Sequence, residues 1–152
     1  MFDFKLFAKA ILVPVLVGAV VGILISGSID YDSLEKPFLA PPSSAFPIVW
    51  TILYILMGVS YGILKSKDLT DSKIDFIYYL QLFFNALWPI AFFILKWRLF
   101  AAIWIIILAI LVFIMIVRFY SKDKVSGLLQ IPYLAWTIFA TYLNISMYIL
   151  NR

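Results

Sequence analysis

Two stretches of this chain carry polar and aromatic side chains at spacings that could do chemistry inside apolar segments. In QLFFNALWPIAFF, Gln81, Asn85 and Trp88 fall at i, i+4 and i+7 and share one helix face. Pro89 has no N–H to give the carbonyl of Asn85, so a helix should kink there. In LLQIPYLAWTIFATYLNISMYIL, Tyr133, Trp136, Ala140 and Asn144 recur at spacings of three and four, and Pro132 likewise frees the carbonyl of Leu128. Polar groups in hydrocarbon need partners. Each face is therefore either glue between helices or the lining of a pocket, and both readings are open at this point.

The chemistry available to such a pocket is narrow. The chain has no Cys and no His, which removes disulfides, thiol redox chemistry, zinc sites, Ser-His-Asp catalysis and the usual proximal haem ligand. All eight acidic residues, Asp3, Asp30, Asp32, Glu35, Asp68, Asp71, Asp75 and Asp123, lie outside or at the ends of apolar runs. Proton-coupled carriers usually need an ionisable group at mid-membrane, so coupled transport is disfavoured. No metal and no resident cofactor is expected.

The elements that position these faces follow from composition. Of 152 residues, 65% are hydrophobic and 13% charged, against roughly half and a quarter in soluble domains. A core of this size cannot hide that excess, since about 30% of the unfolded surface stays exposed. The solvent must be lipid. Five apolar runs, at about 10–26, 45–64, 74–95, 99–117 and 125–150, are continuous rather than alternating. Each is near the ~20 residues that a helix needs to cross a bilayer. Only helices satisfy their own backbone groups there. The expected fold is an all-α membrane protein, with five transmembrane helices in one bundle.

Lys5, Lys9, the first apolar run and Ser26-Gly27-Ser28 have a signal-peptide look, but the run is long for an h-region and reads as a retained helix. Gly18 and Gly22, and again Gly58 and Gly62, form small-residue pairs suited to close helix packing. Packing within the bundle and a dimer face are both open for them. The fourth run is apolar all round and reads as the most lipid-exposed, with Trp97 and Phe119-Tyr120 in the interfacial belts. Tyr148 and Arg152 fit a loose cholesterol-contact pattern, and read more simply as interfacial anchors.

With the N-terminus cytoplasmic, inner segments carry Lys5, Lys9, Lys65, Lys67, Lys73, Arg118, Lys122 and Lys124. Outer ones carry Lys36, Lys96, Arg98 and Arg152. The positive-inside rule favours this orientation in a cell membrane, with the mitochondrial outer membrane as the alternative. The net charge of +4 thus reports topology, not nucleic-acid binding. Loop 27–44 would then lie outside. Pro37, Pro41, Pro42 and Pro47 stiffen it. A long stiff loop between spans is a lid or a binding element.

With KPFLAPP, PIVWTILYILMG, QLFFNALWPIAFF and PYLAWTIFATYLN in order, the chain resembles the translocator protein family. These are the tryptophan-rich sensory proteins of bacteria and the peripheral benzodiazepine receptors of mitochondria. The resemblance covers all five helices and the first loop. It departs at Leu39, where the family usually has Trp, and at Asp30-Tyr31, where Trp-Tyr is common.

The resemblance implies a five-helix bundle, often a homodimer, whose pocket opens toward the long loop. It implies binding of porphyrins and other tetrapyrroles, of isoquinoline and benzodiazepine-type drugs and, in animals, of cholesterol. It also implies light- and oxygen-dependent breakdown of protoporphyrin in some bacterial members. By motif position the pocket would use Trp50, Tyr54, Asn85, Trp88, Trp136, Ala140 and Leu143, with Tyr31, Pro41 and Pro42 in the lid. Trp50 and Trp136 would be the electron-rich partners in photo-oxidation. The expected partners are a porphyrin or other hydrophobic small molecule, membrane lipid and a second copy. Passive transport and ligand-responsive sensing are the alternative functions.

Overall fold

The computed structural model describes residues 2–152. Helix α1 (Phe4–Ile25) starts before the first apolar run because Asp3 caps it, its carboxylate accepting from Lys5 N at 3.0 Å and Leu6 N at 3.2 Å. Loop residues 26–44 follow, holding a 3₁₀ turn at Tyr31–Ser33. Then come α2 (Ala45–Ser66) and α3 (Ser72–Pro89), the latter capped by Asp71 through Ile74 N at 2.8 Å. Helix α4 spans Arg98–Lys122, the short α5 Lys124–Leu128 and α6 Ile131–Leu150. Among the described residues, five spans are long and apolar enough to cross a membrane, with Ser72–Ile94 and Lys124–Leu150 each counted as one. No strand is found among the described residues.

The two prolines act differently. Past Pro89 the chain continues as a π-helical turn, Ile90–Ile94, with Leu95 N bonding Ile90 O at 3.0 Å. A wide turn of this kind absorbs the missing donor without ending the span. Pro132 instead falls in the first turn of α6, where its lost N–H would have had no helical partner anyway. The last span is thus two helices meeting at Leu129-Gln130, not one kinked helix.

Around the bundle the neighbours run α1, α2, α5/α6, α4, α3 and back to α1. At the α1–α2 seam, a Cβ on Gly58 would sit 2.5 Å from Ile11 Cα and 2.9 Å from Ala10 O. Pro14 of α1 gives no N–H to that Ala10 carbonyl, which lies against the glycine instead. The Gly58/Gly62 pair is therefore spent inside the bundle: a Cβ on Gly62 would meet Phe7 at 2.8 Å. Gly18 also faces inward, onto the Tyr54 ring, whereas Gly22 has open space around it.

Helix α4 is not the most lipid-exposed span. Ala101, Ile105, Leu108, Val112, Met115 and Phe119 are all fully buried, at alternating spacings of four and three. An all-apolar sequence hides that stripe, because no polar residue marks the other face. The most exposed span is α1, with only Ala10, Pro14 and Val21 buried. Phe119 likewise lies in the core, stacked at 6.3 Å on Tyr61 and 6.2 Å on Tyr78, while Trp97 and Tyr120 are exposed.

Candidate functional site

The centre of the bundle holds a polar chain donated by three helices. Tyr54 Oη of α2 donates to Asn85 Oδ1 of α3 at 2.5 Å. Asn85 Nδ2 donates to Tyr133 Oη of α6 at 2.7 Å, and Tyr133 Oη donates on to Gln81 Oε1 at 2.8 Å. Gln81 Nε2 ends the chain on the Tyr78 carbonyl at 2.8 Å. All of these side chains are buried. Each hydrogen bond replaces a solvation that lipid cannot supply, so the network fixes the relative rotation of α2, α3 and α6. Tyr54 and Asn85 form a floor of satisfied polar groups.

Loopward of this floor stands an aromatic cluster. The Trp50 ring lies 6.5 Å from Trp88 in a near-parallel stack and 6.4 Å from Trp136 edge-on, with Tyr54 at 6.0 Å. Phe46 packs edge-on against Trp136 at 5.8 Å and against Tyr31 of the loop at 4.9 Å. Offset and edge arrangements of this kind contribute about 0.5–1.5 kcal/mol per pair beyond area burial. Trp88 is oriented by its Nε1, which donates to Asn144 Oδ1 at 2.9 Å. Asn144 Nδ2 in turn donates to the Arg98 carbonyl at 2.8 Å.

A cavity of about 20 Å³ remains between these groups and the loop. It is lined by Tyr31, Trp88, Ala140 and Leu143, together with Phe46, Phe92, Phe93, Asn144 and Met147. That volume is about one water's worth.

The loop is bound down at several points. Tyr31 is buried and its Oη donates to the Pro41 carbonyl at 2.5 Å. Burial, and then the charge of Asp32, push its phenol above the usual range. Arg98 pairs with Asp30 at 2.5 Å, and Asn151 bonds both Glu35 N at 2.8 Å and Glu35 O at 2.9 Å. Tyr142 Oη donates to Phe38 O at 2.7 Å. Pro42 is exposed in the loop shortly before α2, and its carbonyl accepts from Ala45 N at 3.0 Å. Leu39 is 66% exposed at the tip of a turn closed by Ala40 N to Pro37 O, with φ of 73°.

Seven of the residues singled out in the sequence thus share one neighbourhood: Tyr31, Trp50, Tyr54, Trp88, Trp136, Ala140 and Leu143. Asn85 lies beneath them, Pro41 contributes a carbonyl, and Pro42 stands apart. Sequence reasoning left out Phe46, Phe92, Phe93 and Met147. A signal existed for Phe92 and Met147, which stand four and three residues beyond Trp88 and Asn144 on the same helical stripes. The pairing of Asp30 with Arg98 had none, being set by the loop's path. No cluster of acidic or other ligating side chains able to hold a metal ion occurs among the described residues. The chemistry on offer is stacking, edge contacts and a few fixed hydrogen bonds.

A multi-pass, all-α bundle built around a buried polar floor and an indole cluster defines an integral membrane protein. The family model described as TspO/MBR family matches residues 10–150, and the chain belongs to that family. It is 42% identical over 122 residues to the tryptophan-rich protein TspO of Archaeoglobus fulgidus, covering 80% of this chain and 79% of that one. It is 36% identical to protein CrtK of Rhodobacter capsulatus, over 86% and 83% of the two chains. It is 31% identical to the human translocator protein, over 75% and 70%.

Proposed function

We propose that the protein binds flat hydrophobic molecules, metal-free tetrapyrroles of the protoporphyrin type foremost, among Trp50, Trp88 and Trp136 beneath the loop. The observation that carries this reading is the pair of indoles, Trp88 at 6.5 Å and Trp136 at 6.4 Å, set around the Trp50 ring. Pockets for such ligands are mostly apolar and aromatic with few polar groups. Without His or Cys there is no usual axial ligand, which favours a porphyrin without iron. The residual cavity of about 20 Å³ means that a porphyrin must part the rings to enter. Binding is therefore coupled to a rearrangement of Phe46 and the indoles.

In light and oxygen the bound pigment supplies the reactive chemistry, while the protein positions and encloses it. Trp50 and Trp136 are the electron-rich groups closest to hand. The N-terminus is cytoplasmic in this reading, which gathers Lys5, Lys9, Lys65, Lys67, Lys73, Arg118, Lys122 and Lys124 at the inner end. Assembly as a homodimer belongs to the same proposal. The test is a dark titration of purified protein with protoporphyrin, read by tryptophan quenching, followed by illumination and product analysis. Saturable quenching with a product absent from protein-free controls is expected. Quenching no stronger than that of free tryptophan would overturn the reading.

A further inference from the structure

The loop is not the only wall of the aromatic cluster. Between the loop-side half of α2 and the first half of α6 lies a groove of about 380 Å³ on the outside of the bundle. Its lining is Val49, Ile52 and Leu53 on one side and Pro132, Ala135, Trp136 and Phe139 on the other. At the end away from the loop, α2 is tied to the short α5, where Ser60 Oγ donates to the Ser126 carbonyl at 2.6 Å. Ile52 and Ala135 are exposed along it, so the groove faces lipid.

Trp136 is the partition. It lines the groove, while Trp50 and Phe46 pack edge-on to its ring at 6.4 and 5.8 Å within the cluster. Its Nε1 is buried without any acceptor, unlike Trp88 and Trp104, whose indole N–H groups donate at 2.9 and 2.7 Å. An unpaired indole N–H in an apolar wall costs free energy that an acceptor would recover. The ring is thus held by packing alone. The loop, by contrast, is fastened by the Asp30–Arg98 pair, both Asn151–Glu35 hydrogen bonds and Tyr142–Phe38. Opening the loop breaks all of them, whereas turning Trp136 breaks no hydrogen bond.

We infer that the α2–α6 groove is a lateral docking site and portal, gated by Trp136, for a flat, membrane-dissolved molecule carrying a hydrogen-bond acceptor. Such a molecule partitions into the bilayer first and is concentrated at this face. It lies in the groove against Val49, Ile52 and Ala135; as the indole turns, Nε1 is uncovered to meet its acceptor and the molecule passes into the cluster. The loop stays closed. This inference rests on the binding reading above and specifies its route.

The chain has no cysteine, so thiol pairs can be placed at will. Ile52→Cys/Ala135→Cys, bridged by a short bis-maleimide, closes the groove. Phe38→Cys/Tyr142→Cys, bridged likewise, straps the loop to α6. Each protein, in lipid nanodiscs, is mixed with protoporphyrin in the dark and its tryptophan quenching followed in time. Bridging the groove should slow association by about tenfold or more, and strapping the loop should change it less than about twofold. Ala135→Cys carrying a single bulky maleimide gives the same readout without a cross-link. If groove-bridged and singly blocked proteins associate at the unmodified rate, or only the loop strap slows binding, the portal is overturned. If the unmodified protein shows no saturable quenching, the binding reading itself fails and the portal falls with it.

Discussion

Asp30 in the loop and Arg98 at the head of α4 are joined Oδ2 to Nη2 at 2.5 Å, with their side chains 23% and 14% exposed. Arg98 also lies 5.1 Å over the Phe92 ring, and its carbonyl accepts from the Asn144 amide that orients Trp88. One residue thereby connects the loop to the indole cluster.

Removing the carboxylate should strand a largely buried cation. Asp30→Ala is expected to cost about 2 kcal/mol, because a charged group left unpaired carries its full desolvation penalty. Asp30→Ala/Arg98→Met, which removes both charges, should recover about half of that loss. Thermal midpoints in one detergent check both. A double variant less stable than Asp30→Ala alone would show that the pair is not the source.

Trp50→Phe/Trp136→Phe should keep dark protoporphyrin binding within about threefold, since phenyl rings still offer faces to stack on. Light-driven product should fall to the protein-free rate, because the two indoles assigned to the reaction are gone. Product analysis under matched illumination decides it, and wild-type turnover in the double variant removes the assigned role.

Leu39 occupies the third position of the Pro37–Ala40 turn with φ of 73°, where an L side chain crowds its own backbone. Its side chain is exposed, so nothing in the packing compensates. Leu39→Gly should stabilise the protein by about 0.5–1 kcal/mol, the relief of strain being partly offset by the entropy of glycine in the unfolded chain. A lower thermal midpoint would contradict this.

The two glycines of α1 should behave oppositely. A Cβ at Gly18 would lie 2.5 Å from Tyr54 Cε2. Gly18→Ile must therefore push the ring whose hydroxyl holds Asn85, lowering both thermal midpoint and protoporphyrin affinity. Gly22 has nothing within 4 Å, so Gly22→Ile should leave the monomer intact. Light scattering coupled to gel filtration reads the second effect. A change from dimer to monomer in Gly22→Ile alone would place a partner at that face.

The end of the bundle opposite the loop should respond to acid. The Ile74 N–H, and then Lys122, hold the Asp71 carboxyl below the usual range; Lys67, and with it the Ser126 N–H, does the same for Asp123. A carboxyl depressed in the fold binds its proton less readily there than in the unfolded chain. Its stabilisation is therefore complete above the ordinary carboxylate pKa of about 4 and is lost as the pH falls through the folded value. Thermal midpoints should hold from neutral pH to about 4 and drop below it, with a shallower drop in Asp123→Asn. An equal drop in that variant would exclude Asp123 as a contributor.

What the sequence determines alone is whatever depends on composition and period. Continuous apolar runs of bilayer length require helices, because lipid leaves a backbone no other partner. The i, i+4, i+7 spacing puts Gln81, Asn85 and Trp88 on one face wherever the helix sits. The four ordered motifs resemble one family, and the chain belongs to it. Only the tertiary structure decides which faces meet. It turns Gly18 onto Tyr54 and leaves Gly22 open, although the two are indistinguishable as residues. It buries one stripe of α4 that has no polar counterpart to reveal it. It joins Asp30 to Arg98, sixty-eight positions apart, through a loop whose path no local rule dictates. It also leaves the Trp136 N–H unpaired beside a groove and pairs the Trp88 N–H with Asn144. In a bundle with apolar residues on every side, helix rotation is set by side-chain fit and a few polar bonds, and those are known only once neighbours are in place.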